Sequence, residues 1–267
     1  MKNPIRLVAL VLGLAGVAVI VYYHWYRQAP EPQPQPPAPA ETKAEPETKP
    51  APKIQYPVEE PAREKPLPEL SESDAAVQKA LAEVMGQKAL AEHFYLDYII
   101  LRIVVTVDNL PREKVAQRLI PVKPPAGKFL VTGDEDNLVL NPANYARYVP
   151  YVRLAEAVNV KQLVAVYVHF YPLFQKAYRD LGYPTGYFND RLVEVIDNLL
   201  AAPDVQGPVK LVQPSLMYQF ADRELAARSA GQKIMIRIGS ENSTKVKAKL
   251  REIRAEVARR DPKSNRP

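Results

Sequence analysis

Apolar positions along the chain fall into three regimes: an unbroken block, a proline-studded gap, and a long stretch with helical periodicity. Residues 7–21 are all apolar or glycine, and Tyr22, Tyr23, Trp25 and Tyr26 extend the block to about twenty residues, roughly what a hydrocarbon core of about 30 Å requires. The periodic regime begins near Ser71. Val77, Leu81, Val84 and Met85 predict a helix behind the sequence SESD, whose Ser and Asp residues are candidate caps.

Further along, residues 95–109 are apolar enough to read as a buried helix, and Pro111 is placed to open a short helix through Leu119. FLVTGDEDNLVL (129–140) sets two short apolar runs around a polar turn, which predicts a β-hairpin. Helices over 142–158 and 160–181 follow. In the second, Leu163, Tyr167, Phe170, Phe174, Tyr178 and Leu181 form one stripe about 80° wide, so most of the aromatic content is core. Pro172 lies inside that helix and is expected to kink or split it, because it removes a backbone donor and crowds the preceding turn. Gly182 should stop it, and Tyr183-Pro184 leaves it extended. The next helix, 187–201, buries Phe188, Leu192, Val195, Ile196 and Leu199 and turns Asp190, Glu194 and Asp197 outward. The pattern is that of a mainly α domain with a small β-hairpin element.

Charge changes the picture only at the C-terminal end. The formal net charge is +6, and residues 233–267 alone carry eleven Lys or Arg against four Asp or Glu. Val246, Leu250, Ile253 and Val257 make a narrow helical stripe there, with Gly239 ending one helix and Ser240 placed to cap the next. A docked terminal helix with a solvated basic back explains this charge. If that face has a partner, anionic lipid or an acidic envelope polymer is favoured over nucleic acid, because the expected topology places the helix outside the cytoplasm.

Composition adds the spacer. Of 27 prolines in 267 residues, thirteen fall within residues 28–70, a segment with few apolar residues and no glycine. Such a segment resists collapse and reaches at most on the order of 130 Å if fully extended, at about 3.1 Å per residue. Lys2 and Arg6 precede the apolar block and only Arg27 closely follows it, which favours a cytoplasmic N-terminus. Bulky aromatics stand where a small-residue cleavage motif would be needed, so an uncleaved anchor is expected. The partition is therefore 1–27 anchor, 28–70 disordered linker, 71–260 helical extracytoplasmic domain, and 261–267 disordered tail.

Candidate chemistry is sparse. The chain has no cysteine and three histidines, His24, His93 and His169, without metal-ligand spacing, so no metal site and no cofactor are expected. His169 should be exposed. Phosphate-loop, nucleophile-elbow and SxxK patterns are missing. Glu72-Ser73 reads as a helix cap, and Ser240-Glu241-Asn242 lacks the motifs that would make it catalytic. Asp190, Glu194 and Asp197 could be acids for glycan hydrolysis, but their i, i+4, i+7 spacing is that of a solvated helix face. The remaining candidate is the elbow around Gly-Tyr-Pro-Thr-Gly. Tyr183, Tyr187, Asn189, Asp190 and Arg191 either form a binding surface there, or simply pack the junction while Asp190 complements the helix dipole.

VDNLPR (107–112), LNPANYARY (140–148), YPLFQKAY (171–178), GYFNDRLVEVID (186–197) and SAGQK (229–233) together resemble domain-of-unknown-function family 3014. The resemblance spans roughly residues 70–260. It implies a bacterial envelope protein with an N-terminal membrane segment and a proline-rich spacer, and it supplies no activity or site residue. The expectation is a single-pass inner-membrane protein whose periplasmic domain serves as a scaffold or binding module for an envelope protein or cell-wall polymer. The alternative is a carboxylate-based hydrolase acting on envelope glycans through residues such as Asp190 and Glu194.

Overall fold

Apolar stripes at helical spacing have assembled around one long aromatic helix. The computed structural model describes residues 53–59, 66–134 and 137–259, all within one compact unit. The anchor, the spacer over 28–52 and 60–65, and the tail lie outside the described residues. Among the described residues no helix is long and apolar enough to cross a membrane.

The helices are α1 Asp74–Met85, α2 Gln87–His93, α3 Ile99–Asn109, α4 Ala143–Ala146, α5 Val149–Ala157, α6 Val160–Asp180, α7 Phe188–Leu200, α8 Arg223–Ala226, α9 Ala230–Arg237 and α10 Ser240–Val257. Two antiparallel hairpins accompany them: β1 Val131–Thr132 with β2 Val139–Leu140, and β3 Leu211–Val212 with β4 Gln219–Phe220. The domain is mainly helical, as the periodicity requires. Helix α6 is its axis and packs against α1, α3, α7 and α10. Phe170, Phe174 and Tyr178 of the expected stripe are buried, but so are Tyr171, Leu173, Gln175 and Ala177. A helix enclosed by several neighbours buries more than one face.

Phe188, at 0% exposure, anchors α7 to α6. It stacks on Phe174 with ring centroids 5.8 Å apart and meets Tyr178 at 5.5 Å. Burial of such a ring contributes roughly 1.5–3 kcal/mol. Val193 and Ile196 turn toward Val257, Leu250 and Ile253, so the terminal helix docks by its narrow stripe as expected.

Several local expectations are corrected. Helix α3 starts at Ile99, not Tyr95, because Tyr98 takes a left-handed conformation at φ 52°. Asp74 does not cap its own helix; its carboxylate accepts the Tyr98 and Ile99 amides at 2.6 and 2.9 Å and caps α3 instead. Ser73 caps nothing by its side chain and donates to the Leu70 carbonyl. Pro111 opens no helix: the Leu110 and Arg112 carbonyls accept the Gly231 and Ala230 amides, so this backbone is committed to α9, and only a 3-10 turn, Gln117–Leu119, forms later. The helix expected over 142–158 breaks between α4 and α5 around Arg147 and Tyr148. Pro172 neither splits α6 nor ends it. Gly239 is the N-cap of α10, while Ser240 donates to Asp204.

The second hairpin was not expected, since strands of two residues are too short to show alternation. It joins the first through Leu140 N–H to the Val209 carbonyl and Leu211 N–H to the Leu138 carbonyl. Leu140, Val209, Leu211, Phe220 and Ile236 form the small core beneath. The other difference concerns the spacer. Residues 53–59 and 66–70 lie against the domain, with Val58, Leu67 and Leu70 packed on the main core. Their few large apolar side chains suffice to dock them.

Candidate functional site

The α6–α7 elbow is built by interactions between the two helices. Gly182, at φ 109°, ends α6. Tyr183 folds back to stack on Tyr178, with centroids 4.5 Å apart and planes at 17°. Gly186 lies so close to this pair that a Cβ there would sit 2.8 Å from the Tyr178 ring and 3.0 Å from Tyr183 Cβ. A helix that starts this way leaves amides to satisfy, and α6 supplies the acceptors. Gln175 Oε1 accepts the Phe188 amide at 2.9 Å, and the Tyr171 hydroxyl accepts the Asn189 amide at 3.4 Å. Gln175 also donates to the Gly186 carbonyl.

Asp190 is in the first turn of α7. With the preceding amides held by α6, its carboxylate serves another chain segment. Asp190 Oδ2 accepts the Gln55 amide at 2.9 Å and Oδ1 accepts the Tyr56 amide at 2.8 Å. The Tyr187 hydroxyl accepts the Val58 amide at 2.7 Å, and Asn189 Nδ2 donates to the Tyr56 carbonyl at 2.8 Å. Three candidate residues thus hold the main chain of IQYPV, residues 54–58. Pro57, which has no N–H, is skipped. The Tyr56 side chain packs in the cluster of Val193, Ile196 and Val257.

Arg191 and Tyr183 face a second feature, the buried carboxylate of Asp108 on α3, which is only 3% exposed. Arg112 Nη2 lies 2.6 Å from Asp108 Oδ2 and 2.6 Å from the Tyr183 hydroxyl, which itself donates to Oδ2 at 3.1 Å. Arg191 Nη2 donates to the Asp108 carbonyl at 2.8 Å and stands 3.3 Å from Oδ1 at ion-pair distance. Nη1 of the same residue pairs with Glu194 at 2.8 Å. Asp108 Oδ1 and Arg191 Nε are buried without a hydrogen-bond partner. Burial pulls the Arg191 guanidinium down, but Glu194 and Asp108 outweigh it and leave its pKa raised. Tyr178 beside them is pushed up to about 12, first by burial, with Arg191 opposing and Asp108 adding. The five candidate residues therefore form two adjoining arrangements. Tyr187, Asn189 and Asp190 grip a peptide, while Tyr183 and Arg191 join α7 to α3.

Sequence reasoning missed Asp108, Arg112 and the docked peptide. Two signals were available. Asp108 is the one carboxylate in an apolar helix, and such groups are buried only when paired. Ile54, Tyr56 and Val58 are the first large apolar residues after the aromatic collar.

The acids considered for hydrolysis are all engaged. Asp190 holds two amides, Glu194 pairs with Arg191, and Asp197 binds Arg254 through both oxygens. Arg254 is pushed up in pKa chiefly by its hydrogen bond to Asp197. His169 is exposed, as expected, with its ring edge-on to Phe170. Asn242 donates to the Tyr145 and Ile238 carbonyls and Glu241 pairs with Lys245, so that triplet is structural. Among the described residues no group of three or more His, Cys, Asp or Glu could hold a metal ion.

No curated protein and no solved structure matches the chain. One family model does, over residues 99–254, which takes in α3, the elbow and most of α10. That stretch is more than half of the chain and holds every candidate residue, and on this match the chain belongs to the family described as Protein of unknown function (DUF3014).

Proposed function

We propose that the protein is a membrane-anchored, non-enzymatic interaction module whose helical domain binds an envelope protein through the α6–α7 elbow. One observation carries the reading: Asp190, Tyr187 and Asn189 present acceptors and a donor to the main chain of residues 55–58, which bends at Gln55 and Tyr56. Recognition of polypeptide main chain by a preset row of side chains is a binding function, and it requires no reacting group. The apolar block over 7–21 supports the anchor, and the weak basic bias before it supports a cytoplasmic N-terminus with the domain in the periplasm of a bacterial cell. A protein partner is favoured over a cell-wall polymer because the elbow matches the N–H and C=O spacing of a peptide.

The test is a crosslinked pull-down from intact cells with the wild-type chain, Asp190→Asn and Tyr187→Phe, each checked for melting temperature. Capture lost at an unchanged melting temperature supports the module. Capture that survives both changes removes the elbow from the proposal. A C-terminal alkaline phosphatase fusion addresses topology: it should be active, and an inactive fusion with an active cytoplasmic reporter would overturn the envelope placement.

A further inference from the structure

Away from the elbow, α9 carries two cations for which the domain supplies no carboxylate. Arg102, Arg112, Arg191, Arg254 and Arg259 each pair with an acid of the domain. Arg237 does not. Its guanidinium is half-buried, with Cζ 5.3 Å from the centre of the Phe220 ring, and it donates once, from Nη2 to the Tyr218 carbonyl at 3.4 Å. Its Nε and Nη1 make no hydrogen bond and are not buried. Lys233, one turn earlier, is also half-buried and donates to the Ala226 carbonyl at 3.2 Å. Among the described residues neither makes an ion pair. Like charges four apart on a helix repel each other. Burial first pulls the Lys233 ammonium down; Glu113 opposes without reaching ion-pair distance, and Arg237 and Lys114 add to the fall. Burial also pulls Arg237 down, with Tyr148 opposing. An anion from outside the domain would relieve both costs, and the free side of the guanidinium offers the planar fork that a carboxylate fits.

The neighbouring surface is apolar. Ile234 shares the helix face of Lys233 and Arg237 and is 39% exposed, and Leu216 and Met217, which lead into Tyr218 at the turn of the second hairpin, are 93% and 61% exposed. We infer that Lys233 and Arg237 bind a carboxylate of an acidic, apolar-bearing segment of another protein, whose apolar side chains cover Ile234, Leu216 and Met217. Cations beside exposed apolar residues would also suit an anionic bilayer, but the charge nearby opposes that. Strands β2 and β3 run antiparallel, with Val139 opposite Lys210 and the Leu211 amide on the Leu138 carbonyl, so the links over 133–138 and 213–218 leave the four strands at the same end. The first link carries Asp134, Glu135 and Asp136 in its sequence. A flat anionic surface that received Leu216 would meet those carboxylates as well. A peptide on Arg237, beside β4, is two to three strand spacings away from them, roughly 12 Å, which exceeds the Debye length of about 8 Å at physiological salt.

The experiment uses the full chain in nanodiscs of neutral lipid and two fluorescent peptides, one of alternating Glu and Leu and one of alternating Gln and Leu, read by anisotropy against empty discs. The Glu-Leu peptide should bind at least tenfold more tightly than the Gln-Leu peptide. Lys233→Met with Arg237→Met should abolish that preference, and Leu216→Ser with Met217→Ser should weaken Glu-Leu binding at least threefold. Should the double methionine chain fail to fold, Arg237→Lys keeps the charge, loses the planar fork and should still weaken binding at least threefold. A second measurement needs no change in the cations: Leu216→p-benzoylphenylalanine, at a side chain 93% exposed, should crosslink in intact cells to a protein segment with Asp or Glu beside a large apolar residue. Equal binding of the two peptides, or a Glu-Leu preference that survives loss of both cations, overturns the inference. A crosslink from position 216 to a basic segment does the same. So does flotation with phosphatidylglycerol vesicles that requires Lys233 and Arg237 while the two peptides bind alike, which would make lipid the occupant. None of these residues belongs to the elbow, so failure here leaves the elbow reading standing, and the Asp190→Asn pull-down tests that reading separately.

Discussion

Asn189→Asp changes one side-chain atom from a nitrogen donor to an oxygen acceptor and leaves the shape intact. Asn189 is fully buried; its Oδ1 accepts from the Tyr167 hydroxyl at 3.0 Å and its Nδ2 donates to the carbonyls of Tyr56 and Val257. A carboxylate here would set an ionised oxygen against two carbonyl oxygens in a buried site, so the folded variant will take up a proton instead. The cost of holding that proton at pH 7, from an unfolded-state pKa of about 3.9, is about 4 kcal/mol. The neutral carboxyl then donates to only one of the two carbonyls, and the other lost hydrogen bond adds roughly 1 kcal/mol. The sign follows from a folded pKa raised above the unfolded one. The variant loses stability relative to wild type as pH rises above about 4, and its deficit shrinks to about 2.5 kcal/mol at pH 5. Urea unfolding of both full chains at pH 5 and pH 7, followed by circular dichroism, measures this. A deficit under about 1 kcal/mol at pH 7, or an equal deficit at both pH values, would refute the claim that Asn189 donates to two buried carbonyls.

Three other outcomes follow from the same geometry. Asp108→Asn should destabilise by roughly 2–4 kcal/mol, because it leaves the Arg191 and Arg112 guanidiniums without their buried counter-charge, and a double-mutant cycle with Arg191→Met should show coupling of at least about 1 kcal/mol. Gly186→Ala should cost roughly 1–3 kcal/mol in urea unfolding, since the new methyl meets the Tyr178 ring and Tyr183 Cβ; a neutral result would show that the stack shifts freely. Tyr178, pushed up to about 12 by burial first, and the further raised Tyr167 and Tyr171 should stay protonated in the folded domain. The stability they contribute is present below about pH 10 and lost as pH rises toward their folded values, so phenolate absorbance from these residues should grow together with loss of helical signal. Phenolate formation by every tyrosine near pH 10 with helices intact would contradict their burial.

How much was legible differs between backbone periodicity and side-chain partnership. Helices α6 and α7 were readable to within a residue or two because their apolar residues repeat at helical spacing over three or more turns, and Gly182 punctuates them. The short helix expected after Pro111 was misread for a complementary reason. Proline is a permissive start signal, yet the carbonyls of Leu110 and Arg112 bind α9, more than a hundred residues away. Local preference is weak, and a distant pair of amides overrode it. The elbow residues stand together in the sequence, but the division of their partners was invisible in it. Asp190 points to a peptide and Arg191 to Asp108 because consecutive helical residues project about 100° apart and meet different neighbours.

What the sequence by itself determined is therefore whatever depends on near neighbours along the chain: a mainly helical domain, the first hairpin, an aromatic core stripe, and an elbow rich in tyrosine and carboxylate. The tertiary structure alone decided where those polar groups find partners. Gln175 and Tyr171 take the first amides of α7, and Asp190 is turned toward IQYPV, 134 positions away for its shorter bond. A hydrogen bond requires two groups within about 3 Å, and for residues so far apart in sequence only the packing of α6 against its neighbours brings them that close.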